Sequence, residues 1–231
     1  YLYNRVPGTI WGDGDAFFSS ARIDNLQCAY ATLRGFLAGA DTTADRGIAV
    51  YSSFDNEETG SATRQGAGSP FLQDTLQAIC DALGLRLPTM LASSFMVSAD
   101  NGHARHPNHP EMSDGANCPN LNGGIVIKAN AAQKYTTDGV SAAIFGEICR
   151  AANVPTQVFH NRSDMPGGST LGSISNTKVA LHTVDIGLPQ LAMHSAYETA
   201  GTKDTAYLID AMQKFYETSF HAVGDDVIEM E

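Results

Sequence analysis

Short apolar runs alternate along the chain with longer stretches in which apolar residues recur every three or four positions. LQCAYATLRGFLAG (26–39) carries that helical period, with Asp24 and Asn25 in front as candidate caps and Gly39 as its stop. Ser69 and Pro70 offer an N-cap and a first-turn proline to FLQDTLQAICDAL, which Gly84 closes; this is the clearest helix in the sequence. Further helices are predicted from about Thr137 to Ala152 and over AYLIDAMQKFYETSF, the latter capped by Thr202. The remaining apolar runs are too short for helices. GIAVYSSF (47–54), SSFMVSAD, GIVIKAN, TQVFH and ALHTVDIG therefore read as strands, the first of them buried.

Strands alternating with helices predict an α/β three-layer sandwich around a mixed, largely parallel sheet, with the binding site in loops at strand ends. A chain of 231 residues with 43% hydrophobic and 17% charged composition fits one globular domain. No apolar run reaches the roughly eighteen residues of a membrane span, and the opening YLYNRVPGTIW lacks a signal-peptide pattern. The net charge of −11, with no clustered Lys/Arg stripe, argues against nucleic acid as a partner. Four cysteines without a CxxC pair argue against a disulfide framework or a cysteine zinc site, and favour a reducing, cytoplasmic setting. The first residue is Tyr1 rather than Met, which gives the expectation of missing upstream sequence.

The candidate chemistry sits where strands end or helices begin. Asp24, Glu57, Glu58, Asp100 and His194 all fall at such positions, and carboxylate oxygens with imidazole nitrogen suit divalent zinc, cobalt or manganese. Neighbouring side chains on an extended segment diverge, so of Glu57 and Glu58 one can hold a metal while the other takes a proton from water. Each residue also has a plain reading: a Glu pair in a polar turn is commonly solvated, an Asp before a helix is its cap, and a lone histidine is structural. His103, His106 and His109 stand three apart in HARHPNH, a spacing open to metal binding that reads first as an exposed loop within the long irregular stretch from His103 to Asn122. There is no HExxH, no GxSxG elbow, and PGGSTLGS lacks the Lys-Ser/Thr ending of a phosphate loop.

Six segments in order, RIDNL, DNEETGSATRQGAGSPFL, SADNGHARHPN, GIVIKANAAQKYTTDG, PGGST and TVDIGLPQLAMHSAYET, resemble the aspartyl aminopeptidase family of dinuclear zinc metallopeptidases. The resemblance runs from about Ala16 to about Phe220. It implies that Asp24 bridges two metal ions, that Glu58 and His194 bind one and Asp100 the other, and that Glu57 is the general acid/base. It places Lys128 and Tyr135 on the substrate side, with Met193 and the Gly167-Gly168-Ser169 backbone lining the same pocket. The plain alternative for Lys128 is a solvated strand-end lysine.

The implied activity is removal of an N-terminal Asp or Glu from peptides with a free N-terminus, with the whole chain serving as the C-terminal portion of the catalytic domain. The family's remaining histidine ligand lies in an upstream HxDSP-type motif that this chain does not contain. A dimerisation domain is likewise expected outside it, and family members form dodecamers. The rival readings are a metal-dependent deacylase or carboxypeptidase on the same scaffold, and a non-catalytic assembly or cargo-binding subunit.

Overall fold

The computed structural model describes residues 2–43, 47–224 and 227–230. Its elements begin with strands β1 (Thr9–Trp11) and β2 (Phe17–Ser20), helices α1 (Ile23–Gly39), α2 (Phe71–Leu83) and α3 (Leu87–Ala92), and strands β3 (Phe95–Ala99) and β4 (Gly102–His103). Next come β5 (Ile125–Lys128), α4 (Gly139–Ala151), β6 (Thr156–Phe159), α5 (Leu171–Ser175) and β7 (His182–Gly187). The last are β8 (Pro189–Leu191), β9 (Glu198–Gly201), α6 (Thr202–Glu217), β10 (Phe220–Gly224) and β11 (Val227–Met230).

The central sheet has the order β3-β7-β5-β6, with β3 parallel to β7, β5 parallel to β6, and β5 antiparallel to β7. Alternation along β7 sends Val184 and Ile186 into a core shared with Cys28, Phe145, Ile148, Leu208 and Met212 of α1, α4 and α6. Asp185 points the other way, where its Oδ1 accepts a hydrogen bond from Thr170 at the start of α5. Helices thus cover both faces, which is the expected three-layer arrangement. Each fully buried core side chain stabilises the fold by about 1.5–3 kcal/mol. Gly35 allows α1 to lie flush on α6, because any side chain there would collide with Met212.

A second, mostly antiparallel sheet has the order β1-β2-β9-β8-β4, and β10 and β11 form a separate ribbon. Among the described residues no helix is long and apolar enough to cross a membrane.

Several local expectations are corrected. Residues 47–54 form no strand, and Ile48 and Val50 are exposed. Their β-branched content favours extended backbone, but a strand also needs a neighbour to supply its ladder. Here the ties run to helices instead: the Tyr216 hydroxyl donates to the Val50 carbonyl, and the Tyr51 hydroxyl to the Ala29 carbonyl. Neither Asp24 nor Asn25 caps α1 through its side chain. Thr202 is the first residue of α6 rather than its cap, its hydroxyl donating to the Asp15 carbonyl, and the helix stops at Glu217 so that Phe220 can enter β10. α2 forms over the expected residues with Gly84 closing it in the left-handed conformation, but its N-cap is Pro70 rather than Ser69, whose hydroxyl still accepts the Phe71 N–H. All four cysteines are free.

Candidate functional site

Four chain segments converge on a cleft of about 710 Å³. The end of β2 turns through Arg22, at φ 62°, into Asp24; the end of β8 turns through Ala192, at φ 58°, into His194, itself at φ 66°. Asp100 follows β3, and the Glu57–Glu58 pair lies in a compact loop where the Ser61 hydroxyl donates to the Glu57 carbonyl and Gly68 N–H to the Ser61 carbonyl.

His194 Nε2 stands 3.0 Å from Asp24 Oδ2 and 2.9 Å from Glu58 Oε1. One ligand atom from each of these three residues lies within 4.8 Å of the others. The Asp24 side chain is only 3% exposed, and its second oxygen, Oδ1, is buried with no hydrogen-bond partner among the described residues. A buried carboxylate oxygen without a donor is costly, and a cation is one of the few groups that would satisfy it. The donor set therefore fits a hard or borderline divalent metal.

Carboxylate crowding shapes the electrostatics. Burial, together with the Asp100 and Glu58 carboxylates, pushes Asp24 up to about 7 against the opposing pull of His194. The same three causes push Glu57 up to about 7. For His194, burial works against protonation, but Glu58 and Asp24 outweigh it and raise the imidazole above its ordinary value.

Lys128 is not a solvated strand-end lysine. It is buried, with Nζ 3.2 Å from Asp100 Oδ2 and 2.9 Å from the Asn101 carbonyl. Burial opposes its charge, yet Asp100 holds its pKa above the ordinary lysine value. The side chain crosses beside Gly187, where a Cβ would come within 3.0 Å of Lys128 Cε and would collide with the Asp100 carbonyl. Nζ lies 5.8 Å from the centroid of the Tyr135 ring. Burial raises the Tyr135 hydroxyl pKa, so it remains a donor. Gly168, Ser169 and Met193 line the same cleft, as do Asp24, Glu57, Glu58, Asp100, Tyr135 and His194, whereas Gly167 is not among its lining residues.

Glu198 and Asp185 also take part though the sequence did not single them out, and Asn25, His103 and His106 take part in ways it did not predict. Asn25 binds both sides of Asp100: its Nδ2 donates to the Ala99 carbonyl, and its Oδ1 accepts the Asn101 N–H. Glu198 accepts backbone N–H groups of Asp24 and His194. Asp185 accepts the N–H and hydroxyl of Thr136 and the hydroxyl of Thr170, holding the Tyr135 loop to the Gly167–Thr170 loop. His103 and His106 line the cleft rather than standing apart from it. Partial burial and the charges of Lys128 and His194 lower the His103 pKa. Glu198 joins His194, four residues away, to Asp24, 174 residues away, and Asp185 joins Thr136 to Thr170 across separate loops, pairings that have no sequence signature.

The chain matches the Aminopeptidase I zinc metalloprotease (M18) family along residues 1–216. It is 45% identical over 219 residues to a probable M18 family aminopeptidase 2 of Clostridium acetobutylicum, a match covering 94% of this chain and 50% of that protein. It is 37% identical over 234 residues to a probable aspartyl aminopeptidase of Ricinus communis, covering 97% and 47%. The structure of the S. cerevisiae mApe1 dodecamer superposes with a TM-score of 0.79 at 28% identity, covering 93% of this chain and 49% of that one. The chain spans about half the length of the curated relatives it matches.

Proposed function

The chain belongs to the M18 family of zinc aminopeptidases, and from that premise we propose that it carries most of the catalytic site of a dinuclear metalloaminopeptidase that removes N-terminal acidic residues from peptides. The observation that carries this reading is the convergence of Asp24, Glu58 and His194 on one point in the cleft.

In this reading Asp24 would be the bridging carboxylate of a pair of zinc ions, Glu58 and His194 would help to hold one of them, and Asp100 the other. The unpartnered, buried Asp24 Oδ1 supports the bridging role. When bound, zinc supplies Lewis acidity that polarises the scissile carbonyl and lowers the pKa of water. Glu57 takes a proton from the attacking water as its oxygen bonds to the carbonyl carbon, then delivers that proton to the amine nitrogen as the C–N bond breaks. Glu57 stands in the same cleft as Asp24, Glu58 and His194, where a carboxylate can serve both proton transfers. The Tyr135 hydroxyl donates to the developing oxyanion. Lys128 spends two N–H donors on Asp100 and Asn101, leaving a third for the carboxylate of an N-terminal Asp or Glu. Gly168 and Met193 shape the wall beside it.

The half-length match supports reading the chain as one portion of a longer protein, and the order of its six segments implies the C-terminal portion of the catalytic domain. The remaining histidine ligand and a dimerisation domain then lie elsewhere in the polypeptide, and the whole protein is a homo-oligomer, as mApe1 is.

The test is metal-dependent release of Asp, Glu, Leu and Lys from matched N-terminal amide substrates by the full-length protein. Asp and Glu are expected to lead, and Glu57→Gln to lower kcat by about 10²–10⁴-fold with metal content unchanged. Absence of release by the metal-loaded protein would leave the non-catalytic subunit; cleavage of N-acyl groups in place of peptides would leave the deacylase.

A further inference from the structure

We propose that Glu198 is a positioning residue that sets the metal affinity of the centre by locking together the two turns that carry Asp24 and His194. The inference rests on reading those two residues as metal ligands. Glu198 is 2% exposed, and both of its carboxylate oxygens are engaged. Oε2 accepts the backbone N–H of Asp24 at 3.0 Å, and Oε1 accepts the backbone N–H of His194 at 2.8 Å.

The topology explains why one side chain reaches both. β9 lies between β2 and β8, with Glu198 opposite Ser20 on β2 and Thr199 opposite Leu191 on β8. Asp24 and His194 follow the ends of those two flanking strands. Glu198 is thus set at the first position of the strand between them, where it closes the gap. Each turn passes through left-handed backbone at residues other than glycine, Arg22 on one side and Ala192 and His194 on the other. Side chains rarely adopt that conformation unless surrounding bonds impose it. The amides of Asp24 and His194 lie outside any strand ladder, and Glu198 supplies their acceptors. Hydrogen bonds of this kind behind metal ligands typically change metal affinity by about 10–100-fold.

Glutamine at this site has the same shape but only one acceptor. Its amide group would face a backbone N–H, donor against donor, and neither partner can reverse its role.

The experiment measures zinc affinity of the full-length protein by competition with a chelating dye, the visible spectrum of the cobalt-substituted form, and the Tm of the metal-free form. Glu198→Gln is expected to bind zinc about 10–100-fold more weakly and to shift the cobalt bands, with the metal-free Tm close to that of the wild type. Zinc affinity within about twofold of wild type, with only the Tm lowered, overturns the proposal and leaves Glu198 a structural residue. If Glu198→Gln does not fold, Glu198→Asp keeps both acceptors but withdraws them by one methylene. It is then expected to bind zinc about tenfold more weakly, and wild-type affinity would again overturn the proposal. Asp24→Asn, measured alongside, separates the two levels of the argument. Undiminished zinc binding in that variant removes the ligand assignment itself, whereas its loss beside a wild-type Glu198→Gln removes the role of Glu198 alone.

Discussion

On the side of the cleft proposed to hold metal, Glu198 grips two backbone amides; on the side proposed to hold substrate, Asp185 grips one amide and the hydroxyls of Thr136 and Thr170. Both carboxylates are buried, and each ties two loops together. The difference lies in what their partners can do. A backbone N–H only donates, so the metal side tolerates no acceptor-to-donor exchange. A hydroxyl donates or accepts, so the substrate side accommodates an amide by turning one O–H around. One wall is fixed through main chain, the other through side chains that rotate.

Tyr135→Phe tests how much the adaptable wall contributes to the chemical step. Loss of the oxyanion donor is expected to lower kcat by about 10²–10³-fold, with KM and zinc content little changed, measured by steady-state kinetics on an N-terminal aspartyl amide. An equal fall in substrate binding with kcat preserved would move Tyr135 from the transition state to the ground state.

Asp204, in the first turn of α6, extends the comparison to a third buried carboxylate. It too binds only amides, accepting Asn122 N–H at 2.7 Å and Gly124 N–H at 3.0 Å. Burial outweighs those two bonds and pushes its pKa up to about 6 from 3.8. A carboxyl group with a raised folded-state pKa binds its proton more tightly in the native protein. Its contribution is therefore fully present below about pH 4 and is lost as pH rises through about 6. Relative to Asp204→Asn, the wild type is expected to gain about 1–3 kcal/mol between pH 8 and pH 4, read by urea unfolding at each pH. A pH-independent difference would mean that Asp204 stays ionised throughout.

The smallest effect is expected at Asp185→Asn. Its remaining oxygen can keep the Thr136 bonds while its amide donates to the Thr170 hydroxyl. Stability should fall by no more than about 1 kcal/mol, with zinc affinity unchanged. A loss as large as that of Asp185→Ala would show that the hydroxyls cannot turn, and the contrast between the walls would disappear.

The central sheet and helices α2, α4 and α6 were legible in the sequence because their apolar positions keep one period over enough residues to register. The second sheet was not. Its strands FFSS, GH, PQL and ETAG are two to four residues long, partly polar, and paired with segments far away in the chain. The Gly47–Phe54 run shows the converse failure, strand-like composition without a partner. The metal-side residues were visible because their side chains have the donor types a metal needs and stand in recognisable segments. Glu198 and Asp185 were not, since a glutamate in SAYET or an aspartate in TVDIG gains its meaning only from the amides and hydroxyls folded around it. Lys128 was legible as a site residue, but its pairing with Asp100 depended on the antiparallel placement of β5 beside β7.

The placement of β9 between β2 and β8 also bears on how the protein is made. Asp24 and Glu198 are 174 residues apart in the chain, so the metal-side wall is among the most non-local features of the fold. During synthesis Asp24 leaves the ribosome long before Glu198 does. The cleft wall that gathers Asp24 and His194 is therefore complete only once β9, the last strand of that sheet, has docked between β2 and β8.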